Sequence, residues 1–196
     1  MSIEPGRFGM STRTVKAVDI EAVPGDPIAP PITPATTFHL GDPSDGLDFY
    51  GRASNPAWRQ LESALAGLEG AASALVFGSG MAAITAVLRA LTTPDSTLVV
   101  PADGYYQVRA YAAEYLAPQG INVVAASSAE MCDAAGSADV VLAETPANPR
   151  LDVIDLDEVG AIAGPVTSRW MGIWGMRRVL TLTTAVCAAA ILDRKS

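Results

Sequence analysis

Leu75-Val76-Phe77-Gly78-Ser79-Gly80-Met81-Ala82-Ala83 passes from an apolar run through two glycines into alanine-rich sequence. The spacing predicts a buried strand over Ala74 to Phe77, a tight turn, and a helix from Met81 to Leu91. The first N–H groups of such a helix lack intrahelical acceptors, and the helix dipole adds partial positive charge beside them. Glycines let a ligand approach the backbone. The turn is therefore an anion site in waiting, and a phosphate-bearing ligand is the expectation. Gly78 to Ala83 also fits the dinucleotide fingerprint G-x-G-x-x-A, with Asp103 past the next strand. That six-residue match is short, and an ordinary strand-to-helix turn reads the same way.

Working outward, strand and helix patterns alternate. Upstream, Asn55-Pro56 is a favoured N-cap and first helical pair. It opens a helix with Leu61, Leu65 and Leu68 on one face, closed by Gly70. Downstream come a strand at Thr97 to Val100 and a helix over about Tyr105 to Leu116, with Val108, Ala112 and Tyr115 on one side. Strands follow at Ile121 to Ala125 and Asp139 to Ala143. A last helix spans Asp155 to Ala163, with a capping-box pattern at Asp155 and Glu158. The class is α/β with a largely parallel sheet. Pro24, Pro27, Pro30, Pro31 and Pro34 keep the start of the chain extended, so residues 1–54 read as an arm. Residues 55–163 read as the domain proper.

The composition narrows the function. The chain has 196 residues, 49% of them hydrophobic, which is ample for a packed core. A net charge of −8 argues against nucleic acid as the main partner. Cys132 and Cys187 are too few for a disulfide framework, and one histidine, His39, makes a Cys/His metal site implausible. His39 is given no chemistry. Residues 1–20 carry no apolar signal-peptide core, and Val179 to Leu192 is too short to span a bilayer. The expectation is a soluble cytoplasmic protein. Charge is uneven: residues 1–163 hold 8 basic and 20 acidic side chains, residues 164–196 hold 5 and 1. The basic tail, residues 164–196, reads as foreign to the domain before it.

Four further segments accompany the glycine turn in order. They are Pro30-Pro31-Ile32-Thr33-Pro34-Ala35-Thr36-Thr37-Phe38, Tyr50-Gly51-Arg52-Ala53-Ser54-Asn55-Pro56, Leu68-Glu69-Gly70 and Glu144-Thr145-Pro146-Ala147-Asn148-Pro149. Together, over about residues 12–163, they resemble the Cys/Met-metabolism family of pyridoxal 5'-phosphate (PLP) enzymes. Asp103-Gly104-Tyr105 is most similar to the bacterial cystathionine γ-lyase branch. The resemblance implies the three-layer α/β fold of type I, aspartate-aminotransferase-like PLP enzymes, incomplete here and preceded by the arm. It also implies roles. Ser79, Gly80 and Met81 form the phosphate turn. Tyr50 and Arg52 reach the phosphate of a neighbouring subunit, and Arg suits this because its planar fork grips phosphate in two places. Tyr105 stacks on the pyridine ring. Asn148 hydrogen-bonds the ring's phenolic oxygen, and Glu144 and Pro149 shape that loop.

The family also uses a Schiff-base lysine in a Ser-x-Thr-Lys segment and an aspartate, in Asp-Asn-Thr, on the pyridinium nitrogen. Neither segment occurs, and the only lysines are Lys16 and Lys195. The expectation is the N-terminal half of a PLP-dependent C–S lyase of cysteine and methionine metabolism. It is truncated and inactive as this chain, with the cofactor held non-covalently at best. A frameshift or early stop near Ala163 is the expected origin of the tail. No catalytic residue is assigned beyond Tyr50 as a candidate. The implied substrate is a sulfur amino acid, without nucleic acid or membrane partners, and the implied assembly is a homotetramer. Two alternatives stay open. One is a non-catalytic remnant that docks on an intact subunit. The other is an NAD-dependent dehydrogenase, which leaves Tyr50, Arg52 and Asn148 unexplained.

Overall fold

In a computed structural model the described residues are 9–15, 24–25, 27, 29–42, 48–69, 73–163, 171–172, 180–182 and 188–192. The chain divides into two units, Met1–Val76 and Phe77–Ser196. The first unit holds helix α1 (Met10–Val15), helix α2 (Pro56–Glu69) and most of strand β1 (Ser73–Phe77). The arm is thus not extended throughout, since α1 interrupts it. Asn55 begins α2 as expected: its Oδ1 accepts the Ala57 N–H at 2.8 Å. The same side chain donates through Nδ2 to the Thr33 carbonyl at 3.0 Å, tying arm to helix. The leucine face of α2 differs from the expectation. Leu61 is exposed, and Ala64 and Ala66 are the buried positions. The expected closing residue, Gly70, lies outside the described residues.

The second unit is built on a parallel sheet. Helix α3 (Gly80–Leu91), strand β2 (Thr97–Pro101), helix α4 (Tyr106–Tyr111) and strand β3 (Asn122–Ala126) come first. Helix α5 (Met131–Ala135), strand β4 (Val140–Glu144) and helix α6 (Leu156–Ala163) follow. The tail contributes strands β5 (Met171–Gly172), β6 (Leu180–Leu182) and β7 (Ala188–Leu192). β2, β3, β4 and β6 run parallel in the order β3-β2-β4-β6. β5 and β7 pair antiparallel.

Alternation along the strands explains why both faces are covered. Leu98, Val100 and Leu142 point to one side and pack with Ile84, Val87 and Leu88 of α3 and Val108 of α4. Val99 and Ala143 point to the other and pack with Met131 and Ala135 of α5 and Val159 of α6. Period-two burial on both faces is what a parallel sheet between two helix layers requires. Each fully buried Leu, Ile or Val there contributes about 1.5–3 kcal/mol. The three-layer architecture expected from the sequence is present. The tail joins the sheet at β6, where Leu180 is paired in register with Leu142 of β4.

In the second unit, α4 and α5 also depart from the sequence expectation. α4 is shorter, continuing as a π-helical turn over Ala112–Leu116 and a 3-10 turn over Ala117–Gln119. The wider turn carries Leu116 into the core and leaves Tyr115 exposed, stacked on Tyr111 at 5.5 Å. α5 was not expected, because its five residues are too few to show a helical period.

Candidate functional site

The strand order creates a crevice. β2 and β4 are parallel neighbours, so their C-terminal ends lie at one edge of the sheet. From that edge β2 leads to α4 on one face, whereas β4 leads to α6 on the other. Loops that diverge in this way leave a gap, and open α/β sheets bind ligands there. Asp103-Gly104-Tyr105 is one lip and Thr145–Pro149 is the other.

α3 brings its N-terminus to the same edge. Its C-terminal end connects through Thr92–Ser96 to the start of β2, and Val87 and Leu88 pack on that sheet. A 12-residue helix runs about 18 Å, close to the length of a five-residue strand. The first turn of α3 therefore reaches the C-terminal end of β2. Met81 and Tyr105 accordingly pack against one hydrophobic cluster.

Ser79 is the N-cap of α3, and its Oγ accepts the Ala82 N–H at 3.1 Å. The Ser79 carbonyl accepts from Ala83. These two bonds leave the Gly80 and Met81 N–H groups outside the helical ladder. The Ser79 hydroxyl, already accepting, keeps its own proton to donate. A Cβ built at Gly78 meets nothing within 4 Å, so the turn faces open space.

Glu144 ends β4 and is 5% exposed. Its Oε2 accepts the Tyr105 N–H at 2.8 Å and its Oε1 accepts the Asn148 N–H at 3.1 Å. One buried carboxylate thus joins the two lips. Arg109, one turn into α4, donates through Nη1 to the carbonyls of Pro101 (3.0 Å) and Gly104 (2.8 Å). On the far side, Asp103 Oδ2 accepts the Ser128 N–H at 2.9 Å, linking the loops after β2 and β3. Partial burial pushes the Asp103 carboxyl up. The hydrogen bonds from Ser128 and from its own backbone, with the Arg150 charge, outweigh this and hold it below 3.8. The Thr145–Ile154 loop ties itself: Ala147 N–H donates to Asp152 and Ile154 N–H to Thr145 Oγ1. Asn148 sits exposed at its tip.

Of the expected site residues, Ser79, Gly80, Met81, Tyr105 and Asn148 are in the second unit at this edge. Tyr50 and Arg52 are in the first unit. There Gly51 donates to the Thr36 carbonyl at 2.7 Å, and the Tyr50 carbonyl accepts from Ala53 and Ser54, forming a tight turn. A Cβ on Gly51 would stand 2.8 Å from the Ala35 oxygen, so the turn requires glycine. Arg52 is exposed at its tip, its guanidinium carbon 4.7 Å from the centre of the Tyr50 ring. Arg109 and Ser128 carry no sequence signal as site-shaping residues, and Asp103, weighed in the sequence as the acidic partner of a dinucleotide fingerprint, here links two loops. Arg109 reads in sequence as a solvated helix residue, and nothing in its spacing marks it.

The donor set fits the parts of a pyridoxal phosphate. Two helix-start N–H groups and a serine hydroxyl suit its phosphate, a half-buried tyrosine suits a flat ring, and an exposed amide suits a ring oxygen. Among the described residues no cluster of His, Cys, Asp or Glu could hold a metal ion, and no helix is long and apolar enough to cross a membrane.

Comparisons with known proteins identify the family and the fold. The sequence profile of the Cys/Met metabolism PLP-dependent enzymes matches residues 11–168. A Streptomyces coelicolor protein, provisionally named a cystathionine gamma-lyase, is 41% identical over 155 residues, 76% of this chain and 39% of that protein. Human cystathionine gamma-lyase is 33% identical, covering 66% of this chain and 33% of its own length. Among solved structures, the cystathione gamma lyase CalE6 of Micromonospora echinospora aligns with a TM-score of 0.72 at 26% identity. That alignment covers 95% of this chain and 56% of CalE6. Cystathionine gamma synthase of Xanthomonas oryzae, solved with cystathionine, aligns at 0.70 and 27% identity, covering 95% of this chain and 55% of that one. The chain spans well under half the length of these curated relatives. It belongs to the Cys/Met metabolism family of PLP-dependent enzymes.

Proposed function

We propose that this chain is the phosphate-and-ring half of a PLP site from a C–S lyase acting on sulfur amino acids, of the cystathionine γ-lyase kind. The observation that carries the proposal is the joined crevice: Tyr105 and Asn148 held by one buried carboxylate beside the start of α3. Bound PLP supplies an electron sink for reactions at the α-carbon of an amino acid. In this reading Gly80 and Met81 N–H groups and the Ser79 hydroxyl bind the phosphate. Tyr105 presents a flat face to the ring, and the Asn148 amide donates to its oxygen. The α-proton needs a basic amine close to the ring. Lys16 and Lys195 match no family lysine, so this chain alone does not turn substrate over. The names of the relatives favour cystathionine or methionine as the substrate type; a cytoplasmic location and a homo-oligomer belong to the reading through the family resemblance alone.

A second reading follows from Arg52. It is exposed at the tip of a turn in the other unit, free to meet an anion on another subunit. A chain carrying it can dock on an intact homologous subunit and donate Tyr50 and Arg52 there. Co-purification with an intact subunit, lost on Arg52→Ala, is the result expected of this reading.

The main reading is tested with pyridoxamine 5'-phosphate, which has no aldehyde and cannot bond to a lysine. Saturable binding, weakened at least about tenfold by Tyr105→Leu and by Asn148→Ala, is expected. The same chain supplied with PLP and cystathionine should release no 2-oxobutanoate. Binding indifferent to both substitutions, or measurable 2-oxobutanoate, overturns the reading.

A further inference from the structure

The peptide unit between Gly104 and Tyr105 is gripped at both ends by charged side chains. Its carbonyl accepts from Arg109 Nη1 at 2.8 Å, and its N–H donates to Glu144 Oε2 at 2.8 Å. Hydrogen bonds to ionised groups are about twice as strong as neutral ones, and here they pull on one plane from opposite sides. The plane of that peptide sets the backbone from which the Tyr105 side chain departs. Tyr105 precedes α4 as a cap with φ −60° and ψ 120°, its carbonyl accepts the Val108 N–H at 3.1 Å, and its side chain makes no capping bond, so the peptide on its N-terminal side is held by Arg109 and Glu144. Glu144 goes further, since its second oxygen takes the Asn148 N–H across the crevice. The space around this contact is full: a Cβ at Gly104 would stand 2.5 Å from Glu144 Oε2 and 2.8 Å from Pro101 Cγ. A carboxylate so buried, with each oxygen taken by a backbone donor, serves as a brace.

We infer that Glu144 and Arg109 are positioning residues: together they fix the Gly104–Tyr105 peptide, and Glu144 sets the spacing of Tyr105 and Asn148 for one flat heteroaromatic ligand. The inference rests on the proposed ring site, because it is that site's two contacts which are held apart. Glu144→Gln tests it sharply. Its amide keeps the size of the side chain and one acceptor oxygen but replaces the other with an NH2 group, which cannot accept an N–H. One lip then loses its hold. Arg109→Met keeps most of the apolar stem and removes both carbonyl contacts.

The experiment uses the whole chain and pyridoxamine 5'-phosphate. Glu144→Gln and Arg109→Met are each expected to weaken binding about tenfold. They are also expected to abolish the circular-dichroism band that a rigidly oriented ring acquires on binding, while far-ultraviolet dichroism is kept. Because both variants release the same peptide, the double variant should lose less than the product of the two single losses. A second measurement needs no variant. In the unliganded protein the Tyr105 amide should exchange with deuterium far more slowly than the Tyr106 amide, which begins α4. If Tyr105→Leu weakens binding but Glu144→Gln and Arg109→Met leave affinity and the dichroic band unchanged, the bracing inference is wrong and the ring site stands. If Tyr105→Leu also has no effect, the ring site itself is wrong. Equal exchange at Tyr105 and Tyr106 overturns the brace even if neither variant folds.

Discussion

Leu142→Ala is the substitution that most directly probes the sheet beneath the crevice. Leu142 lies on central strand β4, is fully buried, and packs in the cluster formed with Leu98, Val100, Ile84 and Leu88. Truncation removes buried methyl and methylene groups worth about 0.8 kcal/mol per CH2 and leaves a cavity between rigid strands. The expected cost is about 3–5 kcal/mol, at the upper part of the range for leucine to alanine, since both neighbouring strands are pinned in register. Against a total stability of order 5–15 kcal/mol, this removes a large fraction. Urea denaturation followed by far-ultraviolet dichroism gives the value, with Leu151→Ala as control. Leu151 is 70% exposed, and its truncation should change stability by no more than about 0.5 kcal/mol. Leu142 lies two residues before Glu144 on the same strand face, so the variant should also loosen the crevice. A cost below about 1 kcal/mol, or one equal to that of Leu151→Ala, would refute the packing argument.

Three further outcomes are expected. Asn55→Ala loses an N-cap and the tie to Thr33, costing about 1–3 kcal/mol, whereas Asn55→Asp keeps the cap and costs less; thermal unfolding of the three proteins orders them. The Asp103 carboxyl titrates below its ordinary 3.8, so its charged form adds stability above that pH and the contribution fades as pH falls through the lower folded value. The stability gap between the protein and Asp103→Asn should therefore be full at neutral pH and close in acid; a gap that widens in acid would contradict the sign. Burial, the Glu158 hydrogen bond and the charges of Glu158, Asp155 and Asp133 hold the Cys132 thiol above its ordinary 9.0. Alkylation at pH 8, read by peptide mass mapping, should be slower at Cys132 than in free cysteine.

Much of the fold is legible in the sequence, and the reason is physical. Ala74–Phe77, Thr97–Val100 and Asp139–Ala143 are short apolar runs bounded by turn residues, so their existence and type follow from local pattern alone. Asn55 and Asp155 announce helix starts because capping is a local interaction, and Asp155 Oδ1 indeed accepts from Asp157 and Glu158 at 3.0 Å. What pattern does not carry is phase and partnership. The π turn moves burial from Tyr115 to Leu116, a shift fixed by packing on the sheet. The strand order that opens the crevice depends on which neighbours β2 acquires, and no residue in β2 states that. The anion turn and the ring residues are visible as motifs. Their brace is not, because Arg109 and Glu144 meet one peptide only once the pairing of β2 with β4 brings Glu144 to Tyr105, 39 residues before it.

On the proposed reading, α3 and the crevice together take a phosphorylated pyridine. Calorimetric titration of the whole chain with pyridoxamine 5'-phosphate, and separately with pyridoxamine, tests it most directly. Saturable binding of the phosphate ester is expected, with affinity falling at least about tenfold when the phosphate is absent and competition by inorganic phosphate. Equal affinity for the two compounds, or no binding of either by the folded chain, would contradict it.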